Sequence, residues 1–249
     1  MTKTALVTGA GSGIGRHSAL ALSKAGYAVF ICGRREESLQ ATVAMAGSDG
    51  ESITPIICDV AEPQGVAKMF TEIEGAHGRL DVLFNNAGAN TPSTNFGDLT
   101  FEQWKHVIDV NLSGVFLCAR HAFELMRRQD PQGGRIINNG SISAHAPRPG
   151  SAPYTASKHA VTGLTKTISL DGRAFNIACG QIDVGNALTP LTERMQKGVP
   201  QADGSIKPED TMDVEDVANA IVSMAALPLS ANIQFMTIMA TNIPFIGRG

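Results

Sequence analysis

Cysteine is scarce in this chain of 249 residues: four, at positions 32, 58, 118 and 179, too far apart for a CxxC pair or a Cys–His ligand set. Three of them close apolar runs and read as buried thiols, which suits a reducing cytoplasm better than a disulfide-stapled secreted domain. The six histidines form no HxH or HExxH pattern, so no metal site is expected. Aromatic residues make up only 5% of the chain, with one tryptophan and two tyrosines. Charge is thin as well: 20 basic residues against 23 acidic ones leave a net charge of -3. That balance offers no basic face to nucleic acid or to anionic membranes. No apolar stretch approaches the ~20 residues that span a bilayer. The first residues, Met1 to Thr8, make too short an apolar run for a signal peptide. A soluble, cytoplasmic protein is expected.

What the chain does have is alternation. Short β-type runs stand at 5–8, 28–32, 53–58, 81–84, 135–138, 175–179 and 233–238. Amphipathic helical patterns fall between them, at 14–25, 36–46, 63–76, 101–128, 154–172 and 214–226. Most of the β-type runs lack polar alternation, as parallel strands covered on both faces do. The pattern predicts an α/β fold: a single-domain, Rossmann-type, doubly wound parallel sheet of about seven strands with helices on both faces. No repeat or linker divides residues 1–249. Two loops stand out by composition. One, Ala146 to Pro153, is proline-rich and ends at Tyr154. The other, 184–212, mixes Leu188, Pro190, Leu191 and Met195 with Glu193, Arg194 and Lys197, and is expected to be a mobile substrate loop.

Between the first strand and the first helix lies Thr8-Gly9-Ala10-Gly11-Ser12-Gly13-Ile14-Gly15. Glycines there permit a tight turn and close backbone approach, and the helix N-terminus aims N–H groups at a pyrophosphate. Gly9, Ser12, Gly13, Ile14 and Gly15 are therefore candidate cofactor-binding residues, although the spacing is TGxxxGxG rather than GxGxxG. After the second strand a carboxylate would accept from the adenosine ribose of NAD; this chain has Gly33-Arg34-Arg35 instead. Two guanidinium groups suit a 2′-phosphate, which favours NADP(H) over NAD(H). Asp59, closing the third strand ahead of Val60, is placed either to bind the adenine amino group or to cap the helix that follows.

Tyr154 and Lys158 are four residues apart at the start of a helical pattern and share a face. A phenol alone is a poor acid or base near neutrality, but an ammonium beside its oxygen favours the phenolate and makes proton transfer practicable. Ser141 lies thirteen residues upstream, just past the fifth strand, where its hydroxyl would donate to a substrate carbonyl; Ser143 competes for that role.

Taken together, TGAGSGIG at 8–15, NNAG at 85–88, Asn111, Ser141 and YTASK at 154–158 resemble the short-chain dehydrogenase/reductase family. The resemblance runs from the first strand to about residue 183. It implies an NAD(P)-dependent oxidoreductase that passes a hydride between nicotinamide and a carbonyl or secondary alcohol, with Tyr154 as general acid/base. It implies further that Asn86, Ala87 and Gly88 line the adenine–ribose side, with Asp59 and Val60 near the adenine. Lys158 would also bind the nicotinamide ribose, and Asn111 would hold a water linking Lys158 to solvent. A homodimer or homotetramer, formed through the long helices over 101–128 and 154–172, is implied too.

Two departures from the family pattern stand out. Where the family reads Pro-Gly and then Thr after the sixth strand, this chain is expected to place Cys179-Gly180, with Val184 at the threonine position and Thr189 too far along. Ile182 would then offer backbone groups to the carboxamide. The C-terminus carries Met224, Met236 and Met239 where the family is glycine-rich, and those methionines read as packing. These departures are the only support for the alternative, a non-catalytic dinucleotide-binding regulatory or scaffold protein. A serine hydrolase fails, because Gly140-Ser141-Ile142-Ser143-Ala144 is not GxSxG, and His145 is too close in sequence for a triad. Arg148 reads as a solvated loop arginine, with pairing to an anionic substrate as the alternative.

Overall fold

The computed structural model describes residues 2–190 and 192–246; Leu191 and the side chain of Arg194, named above, lie outside the described residues. Seven parallel strands form one sheet: β1 (Thr4–Thr8), β2 (Ala28–Gly33), β3 (Ile53–Ile57), β4 (Val82–Asn85), β5 (Gly134–Asn139), β6 (Ile177–Gly185) and β9 (Phe235–Met239). Their order is β3-β2-β1-β4-β5-β6-β9. A two-stranded ribbon, β7 (Val199–Pro200) with β8 (Ile206–Lys207), stands apart within the 184–212 loop. The crossovers are α1 (Gly13–Lys24), α2 (Glu36–Met45), α3 (Pro63–His77), α4 (Phe101–Ile108), α5 (Gly114–Arg128), α6 (Ala152–Asp171) and α7 (Val214–Ala226).

Alternate residues of each strand feed opposite layers. Leu6, Phe30, Leu83 and Ile136 pack on Val66, Met69 and Ile73 of α3 and on Ala122 and Leu125 of α5. Ala5, Val7, Ile31, Phe84 and Ile137 pack on Leu22 of α1, Leu39 of α2 and Ile221 and Met224 of α7. Full burial of such a side chain is worth about 1.5–3 kcal/mol, so two filled layers hold the sheet firmly between its helices. Strand order reverses direction between β1 and β4, so successive crossovers lie on opposite faces there and leave a crevice at the strand C-termini.

Local chemistry sets the element ends. Thr100 and Gln103 form a reciprocal capping box that starts α4. The helical pattern at 101–128 is real but not uniform, for a turn of π-helix, Asp109–Ser113, separates α4 from α5. The largest revision concerns β6. Phe175, read above as strand, ends a 3-10 turn, and the left-handed Asn176 (φ 57°) resets the chain before the strand begins at Ile177. The strand then continues for nine residues, past Cys179, to Gly185. Gln181 and Asp183 look like the polar end of a strand, yet both are buried within it. The methionines do pack: Met224 is in the core, and Met239 supports a small cluster of Ile142, Ala240 and Ile243.

Candidate active site

The crevice is a cleft of about 500 Å³ lined from the ends of five strands: the glycine turn after β1, Arg34 and Arg35 after β2, Asp59 and Val60 after β3, Asn86 to Ala89 after β4, and Asn139 to Ser143 after β5. Tyr154 and Lys158 of α6, and Val184, Asn186, Ala187 and Thr189 beyond them, complete the wall.

The glycine turn is clamped to the NNAG segment by Thr8. Its hydroxyl accepts from the backbone N–H groups of Asn86 and Ala87, each at 2.9 Å, while Asn86 Nδ2 donates back to the Thr8 carbonyl at 2.9 Å. Gly9 is left-handed (φ 65°), and a Cβ there would fall 2.8 Å from Ala87 Cα. At Gly15 a Cβ would fall 2.4 Å from Asn86 Nδ2 and 2.5 Å from the Gly9 carbonyl oxygen. Gly15 is thus needed for packing under the turn and is not part of the cleft lining, whereas Gly9, Ser12, Gly13 and Ile14 are. Ser12 caps α1 in an extended conformation with no side-chain cap bond, so the helix N-terminus opens toward the cleft. An open helix N-terminus on a glycine turn fits the approach of a dinucleotide pyrophosphate.

Arg34 and Arg35 are exposed on the cleft wall, and neither forms an ion pair among the described residues. Asp59 does not cap α3, whose N-cap is Glu62; its Oδ1 accepts from the Ala61 N–H at 3.0 Å in a local turn, and the residue faces the cleft.

Lys158 is buried; its Nζ lies 5.5 Å from the centre of the Tyr154 ring and donates to the Asn139 carbonyl at 2.6 Å. Ser141 is also buried at the cleft wall, and its Oγ accepts from the Ser143 N–H at 3.1 Å, which leaves its own proton free to be donated. Ser143 reaches the same cleft, so position alone does not divide the two serines. Asn111 is tied by its side chain to the loop after β4 and to α6. It sits in the π-helical turn, where Oδ1 accepts from the Ala89 N–H at 2.7 Å and Nδ2 donates to the Ala89 carbonyl at 3.0 Å and Ser157 Oγ at 3.3 Å. Its amide is spent on bracing the loop after β4 against α6.

The extension of β6 corrects the reading of 179–184. Cys179 is inside the strand, and Val184-Gly185 stand at its end, where Cys179-Gly180 had been expected. Ile182 is fully buried, its carbonyl accepting from the Gly140 N–H at 2.8 Å, and it does not reach the cleft. Ala187 and Thr189 do, and Thr189 stands so close to the glycine turn that a Cβ on Gly13 would lie 3.2 Å from its side chain. A strand ending at Cys179 sets this threonine too far along; one ending at Gly185 does not.

Two residues weighed in the sequence are placed otherwise, and one of them meets Asp183, which the sequence did not single out. Arg148 is neither solvated nor free for an anion: it grips Glu209 with both guanidinium nitrogens, at 2.8 and 2.7 Å, and donates to Asn186 Oδ1 at 3.1 Å. His145, dismissed as a triad partner, has its Nε2 2.8 Å from Oδ2 of Asp183, a carboxylate that is 1% exposed.

Comparison with known proteins agrees with this geometry. Residues 3–200 match the sequence profile of the short chain dehydrogenase family. A 3beta-hydroxysteroid dehydrogenase of Mediterraneibacter gnavus is 39% identical over 224 residues, covering 89% of this chain and 79% of the relative. Among solved structures, a variant of actinorhodin polyketide ketoreductase with NADPH superposes at a TM-score of 0.86 with 27% identity, covering 96% of each chain. Acetoin dehydrogenase YohF of Salmonella typhimurium does so at 0.82 with 31% identity, again over 96% of each. The chain belongs to the short chain dehydrogenase family.

Proposed function

We propose that this oxidoreductase interconverts a carbonyl group and a secondary alcohol with Tyr154 as the proton-transferring residue and NADP(H) as the favoured cofactor, NAD(H) being the weaker one. The observation that carries the reading is the meeting of Tyr154, Lys158 and Ser141 in one cleft with the glycine turn. When bound, the nicotinamide dinucleotide supplies or takes the hydride. Gly9, Ser12, Gly13 and Ile14 cradle the pyrophosphate, and Asn86, Ala87 and Gly88 line the adenine–ribose side with Asp59 and Val60. Arg34 and Arg35 hold the 2′-phosphate, while Ala187 and Thr189 take the carboxamide contacts that had been assigned to Ile182. Ser141 donates to the substrate oxygen, Tyr154 gives or takes its proton, and Lys158 keeps positive charge beside the phenol and binds the nicotinamide ribose. Asn111 holds a water that links Lys158 to solvent, while its side chain braces the loop after β4 against the helix that carries Tyr154 and Lys158.

The printed names of the relatives, a hydroxysteroid dehydrogenase, a polyketide ketoreductase and an acetoin dehydrogenase, all denote chemistry at a ketone or hydroxyl. Arg148 is bound to Glu209, which favours an uncharged reacting portion for the substrate here. The scaffold alternative loses its footing, because the segment at 179–184 that suggested it is the interior of a strand. Four free, buried cysteines fit the reducing cytoplasm, and a homodimer or homotetramer is the assembly the family implies.

The test is turnover of a panel of neutral ketones with NADPH and NADH, for the wild type and for Tyr154→Phe. Loss of turnover on removing the hydroxyl, with NADPH fluorescence titrations unchanged, supports the assignment. Full turnover in Tyr154→Phe rejects it.

A further inference from the structure

Beside Ser141 lies a charged group that the reaction scheme above does not use. Asp183 is 1% exposed, and its carboxylate accepts from three donors: the Ser141 N–H at 3.0 Å and Gln181 Nε2 at 2.7 Å on Oδ1, and His145 Nε2 at 2.8 Å on Oδ2. A buried carboxylate persists only when its oxygens are satisfied in this way. The turn before Ser141 is shaped around it. A Cβ at Gly140 would fall 2.0 Å from Asp183 Oδ1, so the carboxylate occupies the space in which any other residue would place its side chain.

The same network continues to α6. Gln181 Nε2 also donates to Thr162 Oγ1 at 3.0 Å, and Gln181 Oε1 accepts from Thr165 Oγ1 at 3.0 Å. Asp183 is therefore joined on one side to the backbone of Ser141 and on the other, through Gln181, to the helix that carries Tyr154 and Lys158. The Ser141 hydroxyl is fixed from a second direction, since its Oγ accepts from the Ser143 N–H. With backbone and oxygen both held, the Ser141 hydroxyl is fixed at the cleft wall.

We propose that Asp183 is a positioning residue for the reaction: it sets the Ser141 hydroxyl at a constant distance from the Tyr154 hydroxyl, so that both meet the same substrate oxygen. This rests on the reading of Ser141 as the group that donates to that oxygen. Misplacing a reacting group by about 1 Å costs on the order of 10²-fold in rate, which sets the scale of the effect.

The experiment compares kcat, ketone KM and NADPH affinity for Asp183→Ala, Asp183→Asn and Ser141→Ala, with folding followed by circular dichroism. In Asp183→Ala the Ser141 N–H loses its acceptor, and kcat falls by about 10–100-fold while NADPH affinity stays within about twofold of wild type. In Asp183→Asn the amide oxygen still accepts from Ser141 and Gln181, and kcat returns to within about threefold of wild type. If Asp183→Ala does not fold, the Gly140→Ala/Asp183→Ala pair, whose added methyl refills the space of Oδ1, carries the same measurement with the same expected loss. Full kcat without the carboxylate overturns the proposal, and so does an Asp183→Asn enzyme as slow as Asp183→Ala or a parallel loss of NADPH affinity. A fully active Ser141→Ala enzyme instead overturns the assignment of Ser141, whatever Asp183 does.

Discussion

Arg148 and Glu209 form a bidentate ion pair, 2.8 and 2.7 Å, between the proline-rich loop that leads into Tyr154 and the far end of the 184–212 loop. Glu209 also accepts from Asn186 Nδ2 at 2.8 Å and Gln201 Nε2 at 3.0 Å, so the two loops share one buried charge centre. Burial pushes the Glu209 carboxyl upward, but the hydrogen bonds from Arg148, Gln201 and Asn186, with the guanidinium charge, outweigh it and hold the group down at about 2, against an ordinary value of 4.5.

That depression makes a pH prediction with a definite sign. A carboxyl held below its unfolded value stabilises the fold above that value and ceases to do so as it becomes protonated. The contribution is complete above about pH 4.5 and is lost as pH falls towards 2. Its size is on the order of 3 kcal/mol. Urea unfolding from pH 7 down to 3 checks this: wild type loses stability on acidification, and Glu209→Gln shows a smaller loss over the same interval. At pH 7 the variant is less stable by about 3–5 kcal/mol, because a buried guanidinium is left without its carboxylate.

Cofactor preference is tested at Arg34. Arg34→Asp removes a charge-assisted contact worth about 2 kcal/mol to a 2′-phosphate, so NADPH affinity falls roughly thirtyfold. NADH carries no such phosphate, and its affinity changes by less than about threefold. Equal changes for the two cofactors in fluorescence titrations count against the 2′-phosphate assignment.

Gly15→Ala tests the packing beneath the glycine turn. The added methyl meets Asn86 Nδ2 at 2.4 Å and the Gly9 carbonyl at 2.5 Å, and backbone on one side cannot give way. A loss of about 2 kcal/mol in unfolding free energy is expected, with weaker cofactor binding as the turn moves. An unchanged unfolding midpoint would show that the NNAG clamp is looser than these distances require.

The cysteines make a chemical prediction. Burial pushes the thiols of Cys32, Cys118 and Cys179 well up, and burial with the nearby Asp59 charge raises Cys58 to about 11. None is a thiolate at pH 8, so a thiol-reactive dye is expected to modify no cysteine in the native protein and all four after denaturation.

The parts of this molecule that were legible in the sequence share a reason. Strands such as Ala28–Gly33 are apolar on both faces, and the glycine turn and the Tyr154–Lys158 pair are patterns of local spacing. What stayed hidden depends on distant partners. Asp183 carries no signal until Ser141, Gln181 and His145 surround it, and a strand expected to end at Cys179 left Thr189 too far along. Arg148 reads as solvated because Glu209 is 61 residues away. The π-helical turn left no mark in the hydrophobic pattern, since residues on both sides remain helical.

That turn, Asp109–Ser113, also restricts how the chain can change length. It contains more backbone per turn than an α-helix, so α4 and α5 are out of phase with one another as parts of a single helix. One more residue there would exceed what the wide turn already absorbs and would rotate everything downstream by about 100°. Cys118, Ala122 and Leu125 would swing away from the sheet, and Asn111 would lose its place opposite Ala89. Insertions are therefore open to the exposed loops but closed to this stretch, where one added residue would disturb the core and the contacts of Asn111 in the same event.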